Sequence, residues 1–375
     1  MEGGPSQLDT FDPHPGTQIG GDTKSISTSA RGIEVAVGLD QVAEQMQHIA
    51  LVRNVVSREG DHERAAYNFR TGYRPDPTLV HPSIGAIICH KLPIGQAEIP
   101  RHVSILPRAW YGRGGYLGGE YDAFKSYDPS GQLPDVKARV DEVRFSQRLA
   151  YLNVTDETFA NDRLVNIEQQ RTLHRTTIDR AVMMMSSEQL KAFDVSEEPA
   201  AVQEEFGDTP FGRGCLAALR LVEHGVRCIE VGLGGWDGHF NNYDIQNNLK
   251  QTLDPAFAAL VRNLHQRGRL DQTLVLCGGE FGRTPRINPA AGRDHWAKGF
   301  SVALAGGGLC GGLVVGQTDS GGQPVPWEKG TTIADLHATM LTALGIHPAV
   351  ELDTPVGRPI KLREGRAIPA LVGNS

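Results

Sequence analysis

Two short apolar stretches decide the fold class: Val-Arg-Cys-Ile-Glu-Val-Gly at residues 226–232 and Thr-Leu-Val-Leu-Cys at residues 273–277. Both are rich in aliphatic residues and are bounded by turn residues, which predicts buried strands. Between them, residues 255–266 carry apolar side chains at helical spacing and precede Gly268, which predicts a helix that ends there. Strands and helices alternate in this way over residues 226–345. The alternation predicts an α/β fold with a mainly parallel sheet sandwiched by helices.

The rest of the chain predicts further elements around this part. We expect a strand over residues 300–305, helices over 39–52, 84–91 and 332–344, several helices over 141–222, and a long surface excursion over 92–140. Together these predict one domain over residues 1–375. Its loop and helical insertions lie at about 92–225, and its best-defined α/β part lies at 226–348.

The composition limits the classes of partner. The 375 residues include 37 Lys and Arg against 44 Asp and Glu, for a formal net charge of −7. No basic cluster could follow a phosphate backbone, so we expect no nucleic-acid partner. No apolar run reaches the roughly 18 residues of a membrane span, and no secretory signal opens the sequence, so we expect a cytoplasmic location by default. The five cysteines are scattered and form no CxxC pair, which argues against a zinc ribbon or a disulfide framework.

Carboxylates and histidines lie next to the predicted strands at three places: Asp237 with His239, Glu280 with Arg283, and Asp294 with His295. In α/β sheets, functional groups gather at the carboxyl ends of strands. Asp, Glu and His are ligands of zinc, manganese or iron, and a catalytic site needs about three of them and an open position. Each pair also has a structural interpretation, as a turn carboxylate that caps backbone amides or as a salt bridge to a nearby Arg.

Other catalytic patterns are missing from the sequence. It contains no GxxxxGK[ST] phosphate loop, no GxSxG nucleophile turn and no HExxH pair. A metal centre at the strand ends is therefore the leading hypothesis from the residues alone.

Several strings resemble one bacterial family. They are Gly-Gly-Trp-Asp-Gly-His (234–239), Gly-Glu-Phe-Gly-Arg-Thr-Pro (279–285), Gly-Arg-Asp-His-Trp (292–296), Ala-Gly-Gly-Gly (305–308), the opening residues 3–13, and residues 61–62 with 70–75. On these strings the chain resembles the "domain of unknown function 1501" family of the alkaline-phosphatase/sulfatase-like superfamily. The resemblance implies an alkaline-phosphatase-like fold over nearly the whole chain.

The resemblance also implies a metal-dependent hydrolase of phosphate or sulfate esters, with a small-molecule or glycan ester as substrate. In that scheme a divalent ion (Zn, Mn, Ca or Mg) is held by Asp237, His239 and His295, helped by Asp9, Asp12 or Asp294. Glu280 is a further ligand or a general base. Arg283 is an oxyanion clamp, because its planar fork matches phosphate or sulfate oxygens. His62 is a general acid or base, or a substrate contact.

The sequence leaves the nucleophile open. No cysteine is followed by the pattern that formylglycine sulfatases require, so that class is excluded. Ser6, Ser57 and His62 are candidates, and direct attack by water is the fourth alternative. The alternative function is a catalytically inactive relative that acts as a binding or scaffold protein.

The resemblance implies one more feature, at the amino end. The family has an apolar strand before the string that begins at Gly3, so the first strand looks truncated. If an export signal precedes such a strand, we expect a periplasmic or exported protein.

Overall fold

The computed structural model describes residues 1–93, 95–131, 133, 136–161, 168–326 and 329–373. Within them the helices are α1 (Asp40–Glu44), α2 (His62–Thr71), α3 (Ile84–Lys91), α4 (Glu142–Asn161), α5 (Glu168–Ser186), α6 (Ala200–Phe206), α7 (Pro210–Glu223), α8 (Asn242–Gln266), α9 (Ile333–Ala343) and α10 (Pro369–Val372). The strands are β1 (Ser25–Ser27), β2 (Glu34–Ala36), β3 (Ile49–Val56), β4 (His102–Ile105), β5 (Phe124–Ser126), β6 (Cys228–Val231), β7 (Val275–Cys277), β8 (Gly282–Arg283), β9 (His295–Trp296), β10 (Phe300–Ala305), β11 (Leu313–Val315), β12 (Thr331–Thr332), β13 (Glu351–Asp353) and β14 (Pro359–Lys361). Across these residues, no helix combines the length and the apolar character that a membrane crossing needs.

The largest sheet is mixed. Its strands lie in the order β11-β3-β10-β7, with β12 also beside β3. β10 is antiparallel to both β3 and β7, whereas β11 and β12 are parallel to β3. This differs from the mainly parallel sheet that the sequence predicts. Because β10 runs against both of its neighbours, β3 and β7 point the same way, and their carboxyl ends lie at the same edge of the sheet.

Two apolar cores cover the two faces of this sheet. Leu51 and Ala303 belong to a core that includes residues of α1, α7 and α8, whereas Val52 and Leu304 belong to a core with residues of α9. Successive residues of a strand point to opposite faces, so each core lies on its own side of the sheet. Burial on both faces explains why β3 and β10 are almost continuously apolar.

The second sheet, β5-β4-β6, is parallel throughout. Helices approach it closely from both faces through glycines. A Cβ on Gly85 of α3 would lie 2.6 Å from Cys228 Sγ, and one on Gly214 of α7 would lie 2.8 Å from a methyl of Val231. Cys228 and Val231 are three residues apart, so they face opposite sides of the strand. Only glycine allows both helices to pack at these distances.

The structure confirms some of the predicted elements and corrects others. The helix over residues 84–91 has the predicted bounds. The helix predicted over residues 39–52 is wrong beyond Glu44, because the chain enters β3 at Ile49. The excursion predicted over 92–140 also contains β4, which is buried along its whole length. In both cases pairing inside a sheet overrides a short local pattern that a strand and a helix can share.

Candidate metal centre

The candidate site lies where β3, β6 and β7 end. The loop after β6 carries Asp237 and His239, and the fully buried indole of Trp236 anchors that loop. The chain that leaves β3 enters α2, whose first residue is His62. Asp61 caps this helix by accepting hydrogen bonds from two of its first amides. The cap fixes the direction of the first turn and therefore the position of the His62 ring.

Three imidazoles converge on the carboxylate of Asp237. His239 Nε2 lies 3.1 Å from Asp237 Oδ1, and His295 Nε2, from β9, lies 3.3 Å from the same oxygen. His62 Nε2 lies 3.3 Å from Asp237 Oδ2. His239 Nε2 and His295 Nε2 are 3.0 Å apart. Residues far apart in the sequence thus point one nitrogen each toward a common centre.

The opposite nitrogen of each ring is held by an oxygen. The acceptors of the three Nδ1 atoms are Asp294 Oδ1 for His239 (3.0 Å), the Gly60 carbonyl for His295 (2.7 Å) and Glu280 Oε1 for His62 (2.9 Å). A carbonyl or an ionised carboxylate can only accept, so each Nδ1 carries a proton, and in the neutral form of each ring the Nε2 lone pair points inward. Metal-binding histidines are oriented in this way by their neighbours.

These tautomers provide a test of whether the residues fit a metal ion. The lone pairs of His239 and His295 face each other at 3.0 Å. Two lone pairs at this distance repel each other unless a proton or a cation lies between them. A divalent ion would satisfy both nitrogens and the carboxylate of Asp237 at once. The donor set of imidazoles and one carboxylate therefore fits a cation.

A buried aromatic ring packs against two of the three imidazoles. Phe281 is fully buried, and its ring centre lies 5.0 Å from that of His62 and 4.4 Å from that of His295. The ring restricts both imidazoles to their present orientations and removes water from one side of the site. Phe281 is therefore a packing residue of the site.

Nearby charges set the protonation of the site. Burial by itself would raise the pKa of Asp237, but the hydrogen bond and the charge of Arg283, with the imidazoles, lower it. Burial would likewise raise the pKa of Glu280, and the hydrogen bond from His62 with backbone amides lowers it. Desolvation lowers the pKa of His295. At neutral pH the carboxylates are ionised and His295 is neutral, which is the state that metal binding requires.

Arg283 has a different position from the one expected of an oxyanion clamp. Its side chain is 0% exposed. Its guanidinium donates to the carbonyls of Gly3, Gly4 (2.8 Å) and Arg293 (3.1 Å), and to Asp237 Oδ1 (2.6 Å). These bonds occupy most of its donors and leave no face for a substrate oxygen. Arg283 instead holds the Asp237 carboxylate in place.

Three carboxylates that the sequence predicts as extra ligands make other contacts in the structure. Asp9 is buried and accepts hydrogen bonds from Ser6 Oγ (2.5 Å) and Asn242 Nδ2 (2.8 Å). Asp12 is also buried and pairs with Arg53 Nε at 3.3 Å. Asp294 lies at the site but supports the His239 ring. Sequence spacing cannot separate a ligand carboxylate from one that closes a loop, because both lie in glycine-rich turns.

Comparison with known proteins gives the family. A family model described as "Protein of unknown function (DUF1501)" matches residues 1–372. The chain belongs to this family. No curated protein matches the sequence. Among solved structures, the chain is similar to the phosphonate monoester hydrolase SpPMH from Silicibacter pomeroyi, with 13% identity, a TM-score of 0.34, and coverage of 89% of this chain and 72% of that chain.

In this DUF1501 chain, the structure adds His62 to the group that could share an ion. Ligand atoms of His62, Asp237 and His295 all lie within 4.8 Å of one another. Sequence reasoning placed His62 in the active site as an acid, a base or a substrate contact. The signal for a closer role was Asp61, a capping residue after an apolar strand, which places the next side chain at the strand end. The supporting roles of Gly60 and Glu280 had no local signal.

Proposed function

We propose that this protein is a metal-dependent hydrolase of phosphate or sulfate esters, in which Asp237, His239 and His295 hold one divalent cation. The observation that carries the proposal is the convergence of these three side chains, with the two Nε2 atoms 3.0 Å apart and both within 3.3 Å of Asp237 Oδ1. Three protein ligands and an open position are typical of catalytic rather than structural metal sites.

The donor set favours particular ions. Imidazole nitrogens suit zinc and the transition metals, whereas calcium and magnesium prefer sites made wholly of oxygen. Among the ions compatible with the sequence, we therefore propose zinc or manganese. The group of possible ligand atoms in the described residues contains no cysteine, and Cys277, at the end of β7, is buried, which raises the pKa of its thiol to about 11.

Each residue has a separate task in this proposal. When bound, the cation would polarise an ester oxygen and stabilise the charge that develops there. Arg283 fixes Asp237, and Asp294 fixes His239. His62 gives or takes a proton at Nε2, because Glu280 holds the opposite nitrogen. Asp237 and His239 are 44% and 42% exposed, so a small ester can reach the centre from solvent.

The choice of phosphate or sulfate esters rests on the strings 234–239 and 279–285, which resemble the "domain of unknown function 1501" family, and on the superfamily to which that resemblance assigns the family. A second function, a metal-binding protein without turnover, is favoured by the position of the serines. Ser6 is fully buried against Asp9, and the Ser57 hydroxyl donates to Asn68 at 3.2 Å. Neither hydroxyl is bonded to one of the three imidazoles.

The test is metal content and turnover of the same preparations. We expect about one equivalent of zinc or manganese and hydrolysis of an aryl phosphate, phosphonate or sulfate. His239→Ala and His295→Ala should lose both, whereas His265→Ala, an exposed histidine on α8, should keep both. Metal without turnover would support the second function. Neither metal nor turnover in the wild-type protein would refute the proposal.

A further inference from the structure

Arg108 lies just after the carboxyl end of β4, the strand that pairs with β6 in the parallel sheet. Because β4 and β6 run in the same direction, Arg108 is at the sheet edge where the chain leaves β6 and enters the loop that carries Asp237. In α/β sheets, ligands bind outside the carboxyl ends of the strands. A charged side chain at this edge is therefore a candidate for contact with a substrate.

The Arg108 side chain runs along the loop that leaves β6. A Cβ built on Gly232 would lie 3.2 Å from Cγ of Arg108, and one built on Gly234 would lie 2.5 Å from Nη2, 2.6 Å from Cζ and 2.7 Å from Nε. The guanidinium thus rests against Gly234, where a larger side chain would displace it. Gly234 is three residues before Asp237, so a distance on the order of 10 Å separates the guanidinium from the metal centre.

The guanidinium is held against the loop, but its hydrogen-bond donors have no acceptor. The side chain is 51% exposed, and Glu2 Oε1 lies 4.0 Å from Nε, which is too long for a hydrogen bond. In the described part of the chain, no oxygen accepts a hydrogen bond from Arg108. Arg70, by comparison, donates to the carbonyl of Trp110. A guanidinium presents five donors in a planar fork that matches the two oxygens of a carboxylate or phosphate, so the vacant fork of Arg108 favours an anion.

The distance from the metal centre indicates which part of a substrate this anion belongs to. Hydrogen bonds and coordination bonds span only about 2–3 Å, so Arg108 does not reach the oxygens of an ester that is bound to the metal. Arg283 does not contact them either, because it is fully buried and bonded to carbonyls and to Asp237. The Arg108 fork instead lies where the far side of one sugar or aromatic ring of the substrate would be.

We propose that Arg108 selects esters that carry a second anionic group, a carboxylate or a further phosphate or sulfate, on the far side of the ring next to the reacting group. The inference rests on the proposed function, because the reacting group has to be bound at the metal centre for the second anion to reach Arg108. Gly234 is required as well, since the absence of a side chain there lets the guanidinium lie against the loop. The substrate class is then a doubly anionic ester.

The test compares two ligands that cannot be hydrolysed, phenylphosphonate and 4-carboxyphenylphosphonate, by calorimetry with the zinc-loaded full chain. Arg108→Gln removes the charge. Gly234→Ala displaces the guanidinium while Arg108 remains, and the φ of Gly234 lies outside the left-handed region, so its backbone accepts alanine. Arg227→Gln is the matched control, because Arg227 is an exposed arginine just before β6, at the opposite end of the strand.

We expect the wild-type protein to bind the carboxylated ligand about fivefold more tightly than phenylphosphonate, since water partly screens a half-exposed charge pair. Arg108→Gln and Gly234→Ala should bring the ratio of the two affinities close to one, whereas Arg227→Gln should keep it. Equal affinity for both ligands, binding of neither, or a ratio that Arg108→Gln leaves unchanged would overturn the inference. Turnover of aryl esters is measured on the same preparations. A preserved ratio without turnover would support the role of Arg108 and count against the proposed hydrolysis.

Discussion

Asp294→Asn provides a sharp test of how the metal centre is built. Asp294 Oδ1 accepts the Nδ1 proton of His239 at 3.0 Å, and the carboxylate is 56% exposed. The substitution keeps an oxygen that can accept this bond but removes the charge that makes the ring a stronger ligand. It changes neither a proposed ligand nor a buried residue, so the fold should be preserved.

The structure sets the magnitude of the expected effect. Loss of a partner that orients a metal-binding histidine typically costs 10- to 100-fold in metal affinity. Water around the exposed carboxylate screens its charge, which places this case at the lower end. We therefore expect about a tenfold weaker affinity for zinc, which corresponds to roughly 1.4 kcal/mol.

The assay is competition for zinc with a chromophoric chelator at pH 7.5. Asp61→Asn is the matched control: it removes a neighbouring exposed charge, touches none of the three imidazoles, and leaves a residue that still caps α2. We expect less than a threefold change in that variant, since only long-range attraction is lost. If Asp294→Asn binds zinc like the wild-type protein, or if Asp61→Asn weakens binding as much, the proposed role of the Asp294–His239 bond is wrong.

Two further predictions concern stability. Arg283→Lys should lower the free energy of unfolding by about 3 kcal/mol in urea titrations, because a lysine cannot satisfy Asp237 and the surrounding carbonyls of a fully buried site; an unchanged midpoint would contradict it. Glu198→Gln should lower the free energy of unfolding by about 2 kcal/mol at pH 7, because Glu198 accepts hydrogen bonds from Arg267 (2.7 Å) and Arg220 (2.9 Å). The hydrogen bond from Arg267, partly opposed by burial, lowers the pKa of Glu198 below the usual 4.5. Because the pKa is lowered in the folded state, this stabilisation is complete above about pH 4.5 and is lost as the pH falls through the folded pKa. The difference in the free energy of unfolding between the variant and the wild-type protein should therefore shrink in acid. A difference that stays constant from pH 7 to pH 3 would refute this.

The sequence predicted the parts of the fold that depend on local patterns. The helix α3 follows from Ser83, which caps it, and from a continuous apolar run. The carboxyl half of α8 follows from apolar residues at helical spacing. β3 was missed because its first residues complete a plausible helical face, and only pairing with β10 and β11 shows that they form a strand. Long-range pairing of this kind leaves no signal in a short window.

For the site, residue type and strand-end position brought out Asp237, His239 and His295, which the structure places together. The same reasoning overestimated Asp9 and Asp12, because a carboxylate that closes a loop is indistinguishable in sequence from one that binds an ion. It also could not show that Arg283 is enclosed by backbone carbonyls. Such roles depend on which distant segments meet, and for Arg283 those segments are the first residues of the chain and the turn before β9.

A zinc-edge X-ray absorption spectrum of the zinc-loaded protein tests the metal centre most directly. The account predicts one zinc per chain with two imidazole nitrogens and a carboxylate oxygen at roughly 2.0–2.2 Å, and the loss of this zinc signal in the His239→Ala and His295→Ala variants. A spectrum dominated by sulfur ligands, or one that both substitutions leave unchanged, would contradict it.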